Sequence, residues 1–438
     1  MTYTVTDVLQ YVNENDVKFV KLQFADVFGF QRNISINASE LSRAFAEGIS
    51  IDGSYQDGLL RSEENLLLVP DASTLSILPW RPHQGGVARL ICDVKKTDES
   101  PFEGDSREIL KKAVKAAKDK GITFEFGTSC EFYLFKLDDE GNPTKTPHDN
   151  GGYMDVAPFD RAENIRRDIC LTLEQMEFSP ESSRHEGGPG HNEVDFQCAP
   201  PLSAADNFLT FKSVVKNISD QNGLYATFMP KPIADKQGNG LHIDVRAFKN
   251  RKDVFADFSP ESNPDQAKII SGILNRIREI TLFLNPTVNS YKRFGSFMAP
   301  EYVSWSTKNL AQLLRVPVAA DGSARLLLRS SDCACNPYIA FALIIYACLD
   351  GLDGDAELIP PVNVNLETAP DKNSMELSKL PESLSEAVSV TAKSEFVKEH
   401  IDKKVIDAYI KAAEEQAEKY KNAENPAEFE TENYFCRL

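Results

Sequence analysis

Hydrophobic and polar positions follow two periods along the chain, and the first hundred residues favour the shorter one. Partly alternating runs of β-branched and aromatic residues predict strands at Val17 to Phe24 and Val87 to Val94. Between them, residues 37–47 predict one short helix, and a glycine- and aspartate-rich loop follows over 51–59. We therefore predict a small, strand-rich N-terminal domain over residues 1–102.

From residue 103 onward, helices and strands intermix. Asp105 or Ser106 is placed to cap a helix that runs to Gly121. Apolar residues at helical spacing predict another helix over 162–177. The same patterns predict strands at 123–126 and 131–137, and helices at 204–220, 265–284, 337–349 and over most of 382–420. The predicted fold class is α+β, with a second, larger domain over residues 103–438.

Composition and charge narrow the classes of function. The 48 basic residues face 66 acidic ones, a net charge of −18, which argues against nucleic-acid or anionic-membrane partners. The longest apolar run, 338–348, is too short to span a bilayer, and no secretory signal is visible. The eight cysteines contain no C-x-x-C pair, so we expect buried reduced thiols in a cytoplasmic protein.

Three glutamates form the first candidate site. Glu131 opens an apolar segment, and Glu186 and Glu193 bracket the glycine-rich sequence of HEGGPGHNEVDF, residues 185–196. Glycine and proline let the chain reverse there and return one carboxylate beside the other. Hard divalent cations prefer such oxygen ligands. Surface acids in a turn would give the same pattern, and the residues alone leave both interpretations open.

Two further elements carry candidate chemistry. Gly238 and Gly240 precede His242, which suggests a backbone that approaches a ligand, although a core histidine is the simpler interpretation. Arginines follow in the second half of the chain, and their forked donors suit carboxylates or phosphates. Salt bridges to the acidic excess would account for some of them. These arginines are Arg293, Arg315, Arg325 and Arg329.

Blocks spread over nearly the whole chain resemble the class I glutamine synthetases. They are IDGSYQDG (51–58), ENLLLVPD (64–71), GGYMDVAP (151–158), HEGGPGHNEVDF (185–196), ATFMPKP (226–232), GNGLH (238–242), NPTVNSYKR (285–293) and NPAEFETENYF (425–435). The resemblance implies an N-terminal β-grasp domain, a large catalytic α/β domain and a homo-dodecamer of two hexameric rings. In that family the loop resembling residues 51–58 reaches a neighbouring subunit's active site.

The resemblance also implies a reaction and the residues for it. The family joins glutamate to ammonia with ATP, through a γ-glutamyl phosphate, and uses two divalent metals. Carried over, the metal ligands are Glu131, Glu186 and Glu193. The substrate contacts are Gly238, His242, Arg293 and Arg329, and Asp52 matches the residue that deprotonates ammonium. The nucleotide and phosphate contacts are Glu181, Arg315 and Arg325.

Several charged positions of the family are neutral in this chain. The second metal site has Ser129 and Leu327 where the family has glutamates, and only His242 remains. The flap glutamate is Met298, and a phosphate-neutralising arginine is Leu310. The remaining changes are Asn65 at the ammonium site, Gly322 near the adenine and Ser378 at the adenylylation position. Losing one charge-stabilising group commonly costs roughly 10²–10³ in rate.

These losses lead to a ranking of three functions. The first is an enzyme that hydrolyses a γ-glutamyl-type amide with one divalent metal, Mg²⁺ or Mn²⁺, while ATP use is doubtful. Asp52 would be its general base, and Arg293 and Arg329 would anchor a substrate with a glutamate-like carboxylate. The second is an ATP-dependent glutamate–ammonia or amine ligase whose lost groups are replaced, for instance by Asp244 or Glu301. The third is a non-catalytic protein that binds glutamate or glutamine.

Overall fold

The N-terminal part of the chain forms one mixed sheet. In the computed structural model, residues 3–54, 64–81, 85–369 and 375–438 are described. Its strands are β1 (Val17–Ala25), β2 (Gln31–Asn37), β3 (Ile49–Ile51), β4 (Leu66–Pro70), β5 (Ser76–Ile77) and β6 (Gly86–Lys96). The strand order is β2–β1–β6–β4–β3, and β5 pairs with β6. Two helices, α1 (Val5–Glu14) and α2 (Leu41–Glu47), accompany the sheet.

This sheet has its own core, built by alternation along its two longest strands. β1 and β6 run parallel, which places Leu22 beside Leu90, and both side chains are fully buried. Val8 of α1 and Leu41 of α2 cover the same apolar cluster. The predicted strands are confirmed. The helix predicted over 37–47 is shorter, because a 3-10 turn precedes α2.

A second sheet forms the centre of the remaining chain. Its strands are β7 (Ile122–Leu137), β8 (Pro143–Pro147), β9 (Pro180–His185), β10 (His191–Phe196), β11 (Leu224–Thr227), β12 (Leu241–Lys249), β13 (Lys252–Asp253), β14 (Trp305–Ser306), β15 (Leu314–Arg315) and β16 (Leu326–Leu328). The strand order is β14–β15–β16–β12–β7–β10–β9. β8 and β11 also pair with β7, and β13 pairs with β12.

The long strand β7 corrects a sequence-based prediction. Residues 123–126 and 131–137 were predicted as two strands, because the polar residues between them break the apolar pattern. The chain stays extended through this break, since β12 pairs with β7 from Ile122 to Cys130 and β10 pairs with it from Ser129 to Tyr133. The polar residues in the break line a cavity.

Helices cover the second sheet and fill the core. α6 and α7 approach so closely that a Cβ on Gly272 would lie 2.2 Å from the Ala347 carbonyl oxygen. The predicted C-terminal helix is divided into three, α8 to α10. The helices are α3 (Ser106–Asp119), α4 (Glu163–Gln175), α5 (Pro201–Gln221), α6 (Pro264–Leu284), α7 (Pro337–Asp353), α8 (Leu384–Lys393), α9 (Glu395–His400), α10 (Lys403–Lys421) and α11 (Pro426–Glu430).

The prediction that the cysteines are buried thiols holds only in part. All eight are free in the described residues, but Cys170 and Cys198 are half-buried and Cys436 is exposed. Among the helices of the described ranges, none combines the length and the apolar character that crossing a membrane requires.

Candidate active site

A cavity of about 580 Å³ lies over one face of the second sheet. Strands β9, β10, β7, β12 and β16 meet there, and side chains at every second position of a strand point to the same face. Most of the residues predicted from the sequence line this cavity. They are Glu131, Glu181, Glu186, Glu193, Gly238, His242, Arg293, Arg315, Arg325 and Arg329.

The pairing register of the strands places three predicted residues, Glu131, Glu193 and His242, near one another on the sheet. Glu193 lies opposite Glu131 on β7, and opposite Arg184 on β9. One step along the strands, Asp195 lies opposite Ser129, which in turn pairs with His242. Glu131, Glu193 and His242 therefore lie close together on the cavity wall that the sheet forms.

Arg184 is the cation within the carboxylate cluster of the described residues. Its Nε donates to Glu186 Oε1 at 2.9 Å, and its Nη1 donates to Asp195 Oδ2 at 2.6 Å. Its Nη2 donates to Glu193 Oε2. Burial lowers the pKa of Arg184, but the charges of Glu193 and Asp195 outweigh it and raise the pKa, so the guanidinium stays charged.

Glu131 is held by groups that favour its ionised form. The Gly240 N–H donates to its Oε2 at 2.6 Å, and His191 Nε2 lies 3.5 Å from the same oxygen. Burial raises the pKa of Glu131, but His191, His242 and the Gly240 N–H outweigh it and bring the pKa to about 2. This carboxylate is therefore charged at neutral pH.

The cluster fits a divalent cation. Ligand atoms of Glu131, Glu193 and His242 lie within 4.8 Å of one another. Glu193 Oε1 is buried and has no hydrogen-bond partner. Burial and the neighbouring Arg329 lower the pKa of His242 to about 3, so its imidazole is neutral and can act as a ligand. Oxygen donors with one nitrogen suit Mg²⁺ or Mn²⁺.

The two carboxylates missing from the second metal site each have an aspartate on the next strand. Asp195 lies opposite Ser129, and Asp244 lies opposite Leu327. Both aspartates line the cavity, and each has one buried carboxylate oxygen, Oδ1, without a hydrogen-bond partner. Burial raises the pKa of Asp244 to about 6, although Arg325 partly offsets this effect.

Four arginines line other walls of the cavity. Arg293 is buried, and its Nη1 donates to the Ser330 carbonyl oxygen at 3.1 Å. Arg329 donates to the Met298 carbonyl oxygen at 3.2 Å, and burial lowers its pKa to about 10, so it remains charged at neutral pH. Arg325 is half-exposed and lies 3.4 Å from Asp244. Together with Arg315 they can bind carboxylate and phosphate groups.

An apolar segment forms part of the cavity wall. Phe297 and Met298 have positive φ values of 51° and 64°, a conformation that is unfavourable for large side chains. The Glu367 carboxylate accepts hydrogen bonds from both backbone N–H groups, at 3.2 and 3.1 Å. Leu310 and Leu327 line the same cavity.

Two predicted residues lie elsewhere. Asp52 is outside the cavity, where its carboxylate accepts hydrogen bonds from the backbone and hydroxyl of Ser54 at 2.8 and 2.7 Å. The rest of the predicted interface loop, from residue 55, lies outside the described residues. Glu301, suggested as a replacement carboxylate, instead forms a 2.6 Å ion pair with Lys379.

Sequence reasoning missed Arg184 and His191. Arg184 directly precedes the His185–Glu186 pair, so an arginine within the carboxylate motif was the available signal. The contribution of His191 depends on its ring stacking on Tyr133, with centroids 4.3 Å apart, and no sequence pattern reveals that contact.

Family models match both parts of the chain. The glutamine synthetase β-grasp domain matches residues 16–97, and the glutamine synthetase catalytic domain matches residues 103–434. The chain belongs to the glutamine synthetase family. This membership confirms the resemblance found in the sequence, and the α+β fold with an N-terminal β-grasp domain is confirmed with it.

Similar proteins cover almost the full length of the chain. The glutamine synthetase of Methanosarcina mazei is 44% identical over 431 residues, 97% of this chain and 96% of the relative. That of Clostridium saccharobutylicum is 40% identical over 438 residues, 99% of this chain and 98% of the relative. A solved complex of GmaS with ADP has a TM-score of 0.85 at 26% identity and covers 100% of both chains. GmaS without ligand has a TM-score of 0.85 at 27% identity, covering 98% of this chain and 99% of that one.

These relatives correct the function that was ranked first. Proteins 40–44% identical over nearly the whole chain are glutamine synthetases, so the γ-glutamyl amide hydrolase is wrong, and the non-catalytic interpretation falls with it. The doubt about ATP is likewise unsupported. The chain is an enzyme of a family that uses divalent metals, and the relatives favour ligation.

Proposed function

We propose that the chain is an ATP-dependent ligase that joins glutamate to ammonia or a small amine. The observation that carries this proposal is the cavity, where a carboxylate cluster suited to divalent cations faces four arginines. Asp195 and Asp244, on strands adjacent to the neutral second-site positions, bring further carboxylates to the cavity, which supports ligation despite the changed sequence. The family membership points the same way.

In this reaction, the γ-carboxylate oxygen of glutamate attacks the terminal phosphorus of ATP. The bond from that phosphorus to the bridging oxygen of ADP breaks, which gives an acyl phosphate and ADP. The neutral amine then attacks the acyl carbon, loses a proton and displaces inorganic phosphate. Such chemistry depends on positioning and charge stabilisation, for which the enzyme offers fixed cationic groups.

The proposed roles follow the positions of the side chains. Arg293 and Arg329 bind the substrate carboxylate, with Gly238 and His242 beside them, and Arg315 and Arg325 bind phosphate oxygens. Glu181 is the proposed ribose contact, and Asp52, which lies outside its own subunit's cavity, accepts the amine proton in the active site of a neighbouring subunit. Glu131, Glu186 and Glu193 would hold one divalent cation, with His242 close enough to Glu131 and Glu193 to join them. Asp195 and Asp244 would offer carboxylates to a second cation. When bound, these cations offset phosphate charge.

An exposed apolar segment supports an oligomer with shared active sites. Tyr153, Met154, Val156 and Phe159 are each more than half exposed, at 60%, 59%, 71% and 66%. Tyr153 also lines the cavity, so a subunit covering this segment would reach the active site. The double-ring dodecamer and the cytoplasmic location remain predictions. Val156→Asp should shift the size measured by light scattering toward smaller assemblies.

The test is product formation with a matched variant. Purified enzyme with Mg²⁺, ATP and glutamate should release ADP when ammonium or methylamine is added, and mass spectrometry should detect the corresponding γ-glutamyl amide. Glu131→Gln should lower the rate at least 100-fold, while Glu125→Gln, on the same strand but outside the cavity, should not. Absence of ADP with every amine, or hydrolysis of γ-glutamyl amides without ATP, would refute the ligase.

A further inference from the structure

Arg184 has a position that the ligase reaction does not explain. Each of its three donor nitrogens binds a different carboxylate, those of Glu186, Glu193 and Asp195. Two of these carboxylates are proposed ligands of the first divalent cation, and the third is a proposed ligand of the second. A permanent side-chain cation therefore binds one oxygen of each carboxylate, directly beside the unpartnered Glu193 Oε1 and Asp195 Oδ1 that a metal would use.

The contacts of Arg184 differ from those of a purely structural arginine. Nearby, Arg166 and Asp160 are buried, with side chains 5% and 3% exposed, and Arg166 also donates to Asn192 at 2.6 Å. The Arg184 side chain is 27% exposed and lines the cavity, and besides the carboxylates it donates a hydrogen bond to the Ser182 hydroxyl, at 3.4 Å, within the described part of the chain. Arg184 therefore borders the open space of the cavity, whereas the charged group of Arg166 is buried against Asp160 and Asn192.

The Arg184 guanidinium and a divalent metal ion would compete for the same carboxylates, because both are positively charged and need the same space. A divalent ion bound directly to Glu186 and Glu193 would share their oxygens with the guanidinium and repel it at short range. Without a metal, the guanidinium is the counter-charge that keeps the buried carboxylates together. With a metal bound, the guanidinium becomes an additional positive charge in the cavity, beside arginines suited to phosphate.

We propose that Arg184 is a resident counter-cation of the carboxylate cluster. It leaves Glu186 and Glu193 when a divalent cation binds, and it then contacts the phosphate groups of the nucleotide. This proposal rests on the metal and nucleotide binding of the proposed function. The proposal is tested by equilibrium binding of metal and nucleotide. It can therefore hold even if the enzyme does not form the acyl phosphate or does not react with an amine.

The test uses Arg184→Gln, which removes the charge, Arg184→Lys, which keeps it, and Arg167→Gln as the control. Arg167 is 67% exposed, lies 3.6 Å from Asp168 and is outside the cavity. Binding of Mn²⁺ to the full-length enzyme is followed by the electron paramagnetic resonance of the free ion. Binding of a non-hydrolysable ATP analogue is measured at saturating Mn²⁺.

The two affinities should change in opposite directions. Arg184→Gln should bind Mn²⁺ at least 10-fold more tightly and the nucleotide analogue at least 10-fold more weakly, while Arg184→Lys falls between and Arg167→Gln matches the unmodified enzyme. A merely structural arginine would weaken both. Unchanged or weaker Mn²⁺ binding by Arg184→Gln overturns the proposal. Failure of all variants to bind Mn²⁺ overturns the metal site as well.

Thermal unfolding gives a second measurement in case Arg184→Gln is less stable. Without metal, this variant should melt below the unmodified enzyme, because three carboxylates lose their counter-charge. Mn²⁺ should then raise its melting temperature more than it raises that of the unmodified enzyme, since tighter ligand binding gives a larger shift. An equal or smaller shift contradicts the proposal.

Discussion

Asp244 on β12 lies directly opposite Leu327 on β16, and its buried carboxylate lines the cavity that the leucine also lines. The family's second metal site expects a glutamate at residue 327, and here a carboxylate lies on the facing strand instead. The same relationship holds between Asp195 and Ser129 on the other side of β7. Neutral positions in the motifs therefore do not leave the cavity without acidic groups.

The position of Asp244 opposite Leu327 predicts that a glutamate at residue 327 can restore metal–nucleotide binding when Asp244 is lost. Asp244→Asn should weaken metal–nucleotide binding at least 10-fold, about 1.4 kcal/mol, because one anionic ligand is lost. Adding Leu327→Glu to that variant should restore most of the affinity, since the carboxylate returns to the facing strand. Calorimetric titration with an ATP analogue and Mg²⁺ measures both effects. If Asp244→Asn binds normally, Asp244 is not a ligand.

Metal binding by the carboxylates predicts an effect on stability. A chelator should lower the melting temperature of the unmodified enzyme, and excess Mn²⁺ should restore it, because a ligand of the folded state stabilises that state. Glu193→Gln should remove most of this dependence, whereas Glu125→Gln, outside the cavity, should retain it. The melting temperature with and without Mn²⁺ is the measurement. An unchanged Mn²⁺ response in Glu193→Gln would exclude Glu193 as a ligand.

Gly238 and Gly240 both lie beside Arg293, and we expect an alanine substitution to have a different effect at each position. A Cβ on Gly240 would lie 3.0 Å from Arg293 Nη2 and 3.4 Å from Glu131 Oε2, whereas one on Gly238 would lie 2.3 Å from the Pro230 carbonyl oxygen. Gly240→Ala should therefore raise the KM for glutamate roughly 10-fold while the fold remains stable. Gly238→Ala should lower the melting temperature because the backbone must shift. Reversed effects would show that Arg293 is not positioned by Gly240.

The buried cap of α3 predicts a pH dependence of stability. Asp105 accepts hydrogen bonds from the backbone N–H groups of Val94 and Arg107 at 3.0 Å each. Burial, with the charge of Asp93, raises the pKa of Asp105 from 3.8 to about 7. The folded state therefore holds this proton more tightly than the unfolded chain, and its contribution to stability is lost as the pH rises from about 4 through 7.

Asp105→Asn cannot ionise and keeps a side-chain oxygen for the cap. Relative to the unmodified enzyme, its free energy of unfolding, measured by urea titration, should therefore rise between pH 5 and pH 8, with a slope of at most about 1.4 kcal/mol per pH unit. Asp321→Asn serves as the control, because the Asp321 carboxyl is exposed in a turn and its pKa is lowered by Ser323. A pH-independent difference for Asp105→Asn would refute the prediction.

The sequence predicted the elements whose signals are local. The helix expected at 265–284 is found at Pro264–Leu284, and the turn between Glu186 and Glu193 joins two paired strands. The relation of Arg184 to Glu193 depends on strand register, which a single sequence does not determine. The lost charges of the motifs led to the hydrolase ranking, whereas the strand register also places Asp195 and Asp244 opposite the neutral positions.

The apolar segment that contains Phe297 and Met298 predicts which amines the enzyme prefers. Met298 lines the cavity, and its backbone is fixed by hydrogen bonds to Glu367 and Arg329. An ammonium ion requires nearby negative charge, whereas the alkyl group of methylamine gains from apolar contact. Met298→Glu should therefore lower the KM for ammonium at least 10-fold and improve methylamine less. Met298→Gln, of similar size but uncharged, is the control. If Met298→Glu lowers the KM equally for both amines, or Met298→Gln lowers the KM for ammonium as much, the amine site lies away from Met298.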